Sequence, residues 1–320
     1  MLSPRAVTLW LLFGIALVSA LAVTAASTSV RAVLTTEVAG TPRPPLFGAI
    51  TPPTSGPAVA AVAAVPDRGP AVFWLEAPIP GDDSPLRAIV PLTGAVVEPG
   101  KARLLRPARF PTPRRVGIQA GHWKADDAPA ELPSLRFQGG ASFDGVDEVD
   151  LNLDIARLVA ALLRGRGITV DVLPATIPAG YLADAFVSLH ADGDDSHEAR
   201  GFKIAHGFYR GSHEDDLVTW LTDSYAHSTG LPWDPAISED MTDYYAFAWF
   251  RYEHALSPFT PAAVLEMGFL SNDDDREVLL GRQSSVARGI ADGILRFLAA
   301  KPQSALFGQD IIVETVPPPK

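Results

Sequence analysis

Cysteine is absent from the chain. That excludes disulfides, iron–sulfur clusters, thiolate zinc sites and cysteine nucleophiles. Any metal must be held by histidines and carboxylates, and only seven histidines are present. Positive charge is scarce as well: 26 Lys and Arg stand against 37 Asp and Glu, a net charge of −11. So acidic a balance argues against a nucleic-acid partner. The Walker phosphate loop and the GxSxG nucleophile elbow are missing, and no internal repeat stands out. Apolar residues, by contrast, make up 47% of the 320, enough for a sizeable core and too many for wholesale disorder.

The distribution of proline and charge divides the chain. After MLSPR comes a run without charge, residues 6–26, AVTLWLLFGIALVSALAVTAA. Its length suits a bilayer span, which needs about 20 apolar residues. Small residues such as Ala20 and Ala22 also suit a secretory cleavage site. The run is longer than the usual signal core of roughly 7–15 residues, which favours an uncleaved anchor over a cleaved signal. Residues 1–26 are therefore read as a signal peptide or membrane anchor, with the rest of the chain extracytoplasmic, anchored or secreted at the cell envelope.

Sixteen of the 29 prolines fall between Pro42 and Pro113. Frequent proline blocks long helices and central strands, so 27–113 reads as a partly extended spacer. Within it, 71–75 and 86–97 are apolar enough to pair as short strands. Residues 1–113 carry a net +3 and residues 114–300 a net −14.

From residue 114 the pattern becomes that of an α/β domain, 114–300. Short apolar segments at 115–119 (RVGIQ), 168–173 (ITVDVL), 185–190 (AFVSLH) and 262–266 (AAVLE) read as strands. Residues 148–163 carry Leu151, Ile155, Leu158, Val159 and Leu162 at helical spacing. Residues 215–229, ended by Gly230, and 285–299 read as further helices. Alternation of this kind predicts a mostly parallel, twisted sheet with helices on both faces. The last stretch, 301–320, ends in PPPK and reads as a loose tail.

In such sheets ligands gather at the carboxyl ends of strands. His122 follows the first strand, His190 ends FVSLH and Glu266 ends AVLE, while Glu148 opens the first long helix. Two histidines and a carboxylate make a catalytic zinc site, and a further carboxylate beside the metal can serve as general base. Each has an ordinary reading too. A histidine at a strand end is often structural, and Glu148 could simply favour its helix N-terminus. Glu266 is harder to explain so, because a carboxylate closing AAVLE is poorly solvated and needs a partner.

The segments DAFVSLHAD (184–192), PAAVLEMGFLSN (261–272), EVDLNLDIA (148–156) and VGIQAGH (116–122) occur in one order at plausible intervals. Together they resemble the zinc-dependent N-acetylmuramoyl-L-alanine amidases of bacterial cell walls, over about residues 114–299. The resemblance implies a phosphorylase/hydrolase-like fold, peptidoglycan as partner and Zn2+ as cofactor. It implies His122, Glu148 and His190 as zinc ligands and Glu266 as the catalytic residue. The implied reaction is hydrolysis of the amide between N-acetylmuramic acid and the L-alanine of the stem peptide.

The chain departs from that pattern in three places. Trp123 and Lys124 follow the first histidine, where the family usually has glycines. Asp192 stands where the family often has Asn, and can tune a ligand histidine or cap a turn. Residues 243–258 (DYYAFAWFRYEHALSP) replace a basic, Leu-rich stretch. Trp123, Asp192, Tyr244, Tyr245, Arg251 and His254 are accordingly candidate substrate contacts, with packing roles as the alternative. Two other readings stay open: a zinc peptidase or amidohydrolase acting on another acyl–amino-acid bond, and a wall-binding module without catalysis.

Overall fold

Four apolar segments, each too short for a helix, build the centre of the fold. The computed structural model describes residues 72–76, 95–98, 101–207 and 213–316. The apolar run at 6–26 and most of the spacer lie outside the described residues. No helix among the described residues is long and apolar enough to cross a membrane.

In chain order the strands are β1 (Val72–Glu76), β2 (Ala95–Glu98), β3 (Lys101–Leu104), β4 (Arg115–Ala120), β5 (Ser142–Phe143), β6 (Val146–Asp147), β7 (Thr169–Leu173), β8 (Ala185–Asp192), β9 (Lys203–Ala205), β10 (Ala262–Phe269) and β11 (Ile311–Val316). The helices are α1 (Glu148–Arg164), α2 (Glu214–Thr229), α3 (Glu239–Thr242), α4 (Asp273–Gly281), α5 (Gln283–Ala300) and α6 (Gln303–Phe307). Single-turn 3-10 helices occupy Ala125–Asp127, Pro133–Phe137 and Tyr245–Phe247.

The central sheet runs β7-β4-β8-β10-β9. Its first four strands are parallel, and β9 closes the edge antiparallel to β10. From β4 the chain crosses through α1 to β7 on one side, then returns to β8 on the other side of β4. The order therefore reverses between β4 and β8, which opens a crevice at their carboxyl ends.

Successive side chains of a strand point to opposite faces. On one face Val116, Ile118, Val187, Leu189, Ala263, Leu265 and Met267 are buried in a core shared with α1, α2 and α5. Each large apolar side chain buried this way contributes roughly 1.5–3 kcal/mol. Along α1 the buried stripe is Leu151, Ile155, Val159 and Leu163, whereas Leu158 and Leu162, expected on that stripe, are exposed. Helix α2 ends at Gly230 in the left-handed region (φ 75°), and Asn272 caps α4 by accepting from the Asp274 and Asp275 N–H groups.

The opposite face corrects one expectation. No long helix among the described residues covers it. Phe186 and Val264 there pack against Leu132, Leu135, Ile177, Tyr245 and Leu256, from single-turn helices and connecting segments. The mostly parallel sheet is present, but its long helices share one face. The apolar residues of the cover come in short clusters broken by Pro129, Pro133 and Pro178, too short for a helical stripe.

The tail is also not loose. Its residues 311–316 form β11, within a second sheet of order β1-β11-β3-β2. Ile311 and Val313 alternate inward with Leu306 and Phe307 and join the main core. Asp310 accepts from the Arg106 N–H at 2.9 Å. Strands β1, β2 and β3 come from the Pro-rich stretch, which thus contributes folded structure at its C-terminal end.

Candidate metal centre

The face without long helices carries the polar residues of the same strands. Gln119 on β4, Ser188 and His190 on β8 and Glu266 on β10 alternate with the core residues. His190 and Glu266 are register partners across the β8–β10 pair. His122 follows β4 at φ 62°, a left-handed conformation that turns the chain back over the sheet edge.

Three side chains converge. One ligand atom each from His122, Glu148 and His190 lies within 4.8 Å of the others. Glu148 Oε1 is 3.2 Å from His122 Nε2 and 3.1 Å from His190 Nδ1. The two rings meet edge to face at 4.8 Å. Each histidine's other nitrogen faces an acceptor. His122 Nδ1 is 2.8 Å from the Gln138 carbonyl, and His190 Nε2 is 3.5 Å from the Tyr244 hydroxyl. With protons placed there, both remaining lone pairs face the Glu148 carboxylate.

The backbone is shaped to permit this. A Cβ on Gly121 would stand 2.3 Å from the His190 ring, so only glycine lets the ring lie against this turn. Gly140 (φ 80°) passes over Glu148 and His122, and a Cβ there would meet them at 2.8 and 2.9 Å. The Ala141 N–H donates to Glu148 Oε2 at 2.7 Å, and Glu148 returns its own N–H to the Ala141 carbonyl. Asn152, one turn along α1, donates to Glu148 Oε1 at 3.0 Å, as does the Ala191 N–H at 3.1 Å.

Burial alone would raise the Glu148 carboxyl. The hydrogen bonds and charge of His122 and His190 outweigh it and hold the group well below the usual carboxylate range. Burial likewise opposes charge on His122, but Glu148 and the Gln138 carbonyl raise it above its ordinary value. Glu266 behaves the other way. Burial, then the Glu148 and Asp192 carboxylates, push it well above the ordinary value, with Lys203 opposing. A carboxylate fixed in its charged form beside two imidazoles is a donor set for a divalent cation. The second carboxylate, whose charged form is disfavoured, is the kind of group that accepts and returns protons.

The remaining candidates fall elsewhere or are already engaged. The Tyr244 hydroxyl donates to Gln119 Oε1 at 2.8 Å and accepts from Ser188 at 3.3 Å, behind His190. The Tyr245 hydroxyl is buried against the Ala175 carbonyl, with Gln119 Nε2 at 3.0 Å. Trp123 packs on the core and carries Lys124 Nζ 4.9 Å above its ring. Asp192 accepts from Lys203 Nζ at 2.5 Å. Arg251 pairs with Asp243 at 3.6 Å and His254 with Glu131 at 2.7 Å. Neither of these two hydrogen-bonds to the His122–Glu148–His190 group. Gln119, Asn152 and Lys203 are the residues sequence reasoning missed. Asn152 stands four residues after Glu148, on the same helix face, a spacing that could have revealed it.

The family model described as N-acetylmuramoyl-L-alanine amidase matches residues 116–296, more than half of the chain. Similar solved structures include the catalytic domain of CwlV, an N-acetylmuramoyl-L-alanine amidase of Bacillus (Paenibacillus) polymyxa var. colistinus. It is 24% identical with a TM-score of 0.40, over 59% of this chain and 99% of that one. The N-acetylmuramyl-L-alanine amidase of Mycobacterium smegmatis is 19% identical with a TM-score of 0.45, over 59% and 98%. An N-acetylmuramoyl-L-alanine amidase of Nostoc punctiforme is 20% identical with a TM-score of 0.42, over 58% and 97%. No curated protein matches the chain.

Proposed function

The chain belongs to the N-acetylmuramoyl-L-alanine amidase family, whose reaction is amide hydrolysis in peptidoglycan at the cell envelope, and from that premise we propose how its residues perform it. His122, Glu148 and His190 hold a zinc ion, and Glu266 is the general base and acid. The observation that carries this reading is the convergence of those three ligand atoms, with Glu266 the register partner of His190 on the same sheet face.

The donor set fits the ion. Two neutral imidazoles, each with its outer nitrogen facing an acceptor, and one carboxylate leave a position open for water or substrate. When bound, zinc lowers the pKa of water and polarises the scissile carbonyl between the lactyl group of N-acetylmuramic acid and L-alanine. The rest falls to this chain. Ala141, Asn152 and Ala191 donate to Glu148 and fix the direction of its carboxylate. The Glu266 carboxylate accepts no hydrogen bond from another described residue, so it is free to receive a proton from the attacking water. Burial and the surrounding carboxylates make it a stronger base than an exposed glutamate. It then delivers that proton to the departing L-alanine nitrogen, so the amine leaves neutral. With an ion held at Glu148, one of the charges that raise Glu266 would be offset, so its base strength would depend on loading of the site.

The test is zinc content together with stem-peptide release from purified peptidoglycan. The expected result is one zinc per chain and release that stops on chelation and returns with zinc. Glu266→Gln should keep its zinc and lose nearly all release. A zinc-free active enzyme would sink the metal assignment. Zinc without release would favour a different acyl–amino-acid substrate.

A further inference from the structure

Glu266 is the one member of the site whose side chain makes no hydrogen bond to another described residue. His122, Glu148 and His190 are each fixed by at least one hydrogen bond from outside the cluster. The direction of the Glu266 carboxylate must therefore come from its backbone. That backbone is irregular: the register of β10 against β8 shifts between Glu266 and Phe269. Bulges of this kind re-aim side chains beside active sites, and they need something to keep the aim.

Lys203 spans this irregularity. It lies on β9, the three-residue edge strand, as the register partner of Glu266. Directly opposed residues of an antiparallel pair share a face, so Lys203 and Glu266 leave the sheet together. Its ammonium passes over the Phe269 ring, 4.7 Å from the centroid. It ends 2.5 Å from Asp192 Oδ2, with Asp234 Oδ2 at 3.7 Å. Asp192 is the β8 partner of Phe269. The side chain thus starts beside the last regular residue of β10 and ends on the partner of the first residue past the shift. It is 10% exposed, and its charge faces two carboxylates, so it is not offered to substrate.

We infer that Lys203 is a positioning residue for Glu266: by tying β9 to the end of β8 across the irregular stretch of β10, it fixes the direction in which the Glu266 carboxylate meets the metal centre. Asp192 is then the anchor of this tie rather than a substrate contact. The inference rests on the reading of Glu266 as general base.

The experiment uses the full chain and compares Lys203→Met, Lys203→Arg, Asp192→Asn and the Asp192→Asn/Lys203→Met pair with wild type and Glu266→Gln. Lys203→Met should lower kcat for stem-peptide release between about ten- and a hundred-fold, with KM within about two-fold and zinc content unchanged. Lys203→Arg, which can still reach Asp192, should recover most of kcat. The double variant should be no worse than Lys203→Met alone, since both changes cut one tie. Should Lys203→Met fail to fold, Asp192→Asn cuts the same tie from its other end without changing shape, and a smaller kcat loss at constant KM is expected. A kcat within about two-fold of wild type in the folded variant overturns the positioning role, as does a loss that appears only in KM or that Arg does not recover. An active Glu266→Gln would instead overturn the general-base reading, and the positioning role with it. That failure shows in the control without reference to Lys203.

Discussion

The two faces of the central sheet are made by alternate residues of the same strands, yet they are covered in opposite ways. Toward α1, α2 and α5 the side chains are Val116, Ile118, Val187, Leu189, Leu265 and Met267, all part of one apolar core. Toward the other side Gln119, Ser188, His190 and Glu266 interrupt Phe186 and Val264. The cover there is made of turns held by polar ties. Tyr245 reaches Gln119 and Ile177, and Arg136 reaches the Ala128 carbonyl at 2.8 Å. A parallel sheet is buried on both faces, but here only one face supplies a continuous apolar interface. The other exchanges part of its apolar surface for a cluster that can bind an ion.

Adjacent residues of β10 put that contrast to its sharpest test. Leu265 points to the helices and is fully buried; Glu266 lies on the opposite face, in register with His190. Glu266→Gln should reduce kcat by about a thousand-fold, equivalent to ~4 kcal/mol of transition-state stabilisation, while urea unfolding is scarcely changed. Leu265→Ala should cost about 2–5 kcal/mol of stability through transfer and cavity terms. Its kcat per folded molecule should stay close to wild type. If Leu265→Ala lost kcat at full folding, or Glu266→Gln unfolded the domain, the division of labour between the faces would be wrong.

A smaller effect is expected one layer behind the ligands. The Tyr244 hydroxyl donates to Gln119 and faces the outer nitrogen of His190 at 3.5 Å. Partners of this kind orient a ligand histidine, and their loss weakens metal binding by about 10–100-fold. Because the contact is long, Tyr244→Phe should sit near the low end, about ten-fold weaker zinc binding in competition with a chelator. The ring itself still packs edge to face on His190 at 5.7 Å, so the fold should hold. Unchanged affinity would make Tyr244 a packing residue only.

What could be read from the sequence follows the same division. The strands and long helices of the apolar face announce themselves by period, and the expected segments differ from the observed ones by a few residues at their ends. His122 follows β4, Glu148 opens α1, and His190 and Glu266 lie in the carboxyl-terminal halves of β8 and β10, near where α/β folds collect chemistry, so all four were legible as candidates. The cover of the second face was not, because its apolar residues lie in short pieces without a repeat. Lys203 was invisible for another reason. Its meaning depends on β9 pairing with β10 and on where Asp192 lies across the bulge, both long-range facts. The tail was misread because PPPK dominates its end, while the alternation of Ile311 and Val313 is brief and finds its partners some two hundred residues earlier.

The polar ties of the second face should also be the part of the cover that answers to pH. Glu131 accepts from the Glu253 N–H at 3.0 Å, the His254 N–H at 2.8 Å and His254 Nδ1 at 2.7 Å. It thereby joins the segment after His122 to the segment before β10. Partial burial would raise its carboxyl, but these three donors lower it below the ordinary value of 4.5. A carboxyl whose folded-state pKa lies below its unfolded one contributes its full stability above the unfolded value. It loses that contribution as pH falls through the folded value. Glu131→Gln should therefore cost about 1 kcal/mol at pH 7, an amount discounted because the pair is about one-third exposed. The gap between the two unfolding curves should stay level down to about pH 5 and close progressively as the pH drops below 4.5. The mirror mutation on the apolar face, Leu265→Ala, should show a gap without pH dependence over the same range. Parallel curves for Glu131→Gln at every pH would mean that neutral hydrogen bonding alone holds this cover in place, and the contrast between the faces would reduce to shape.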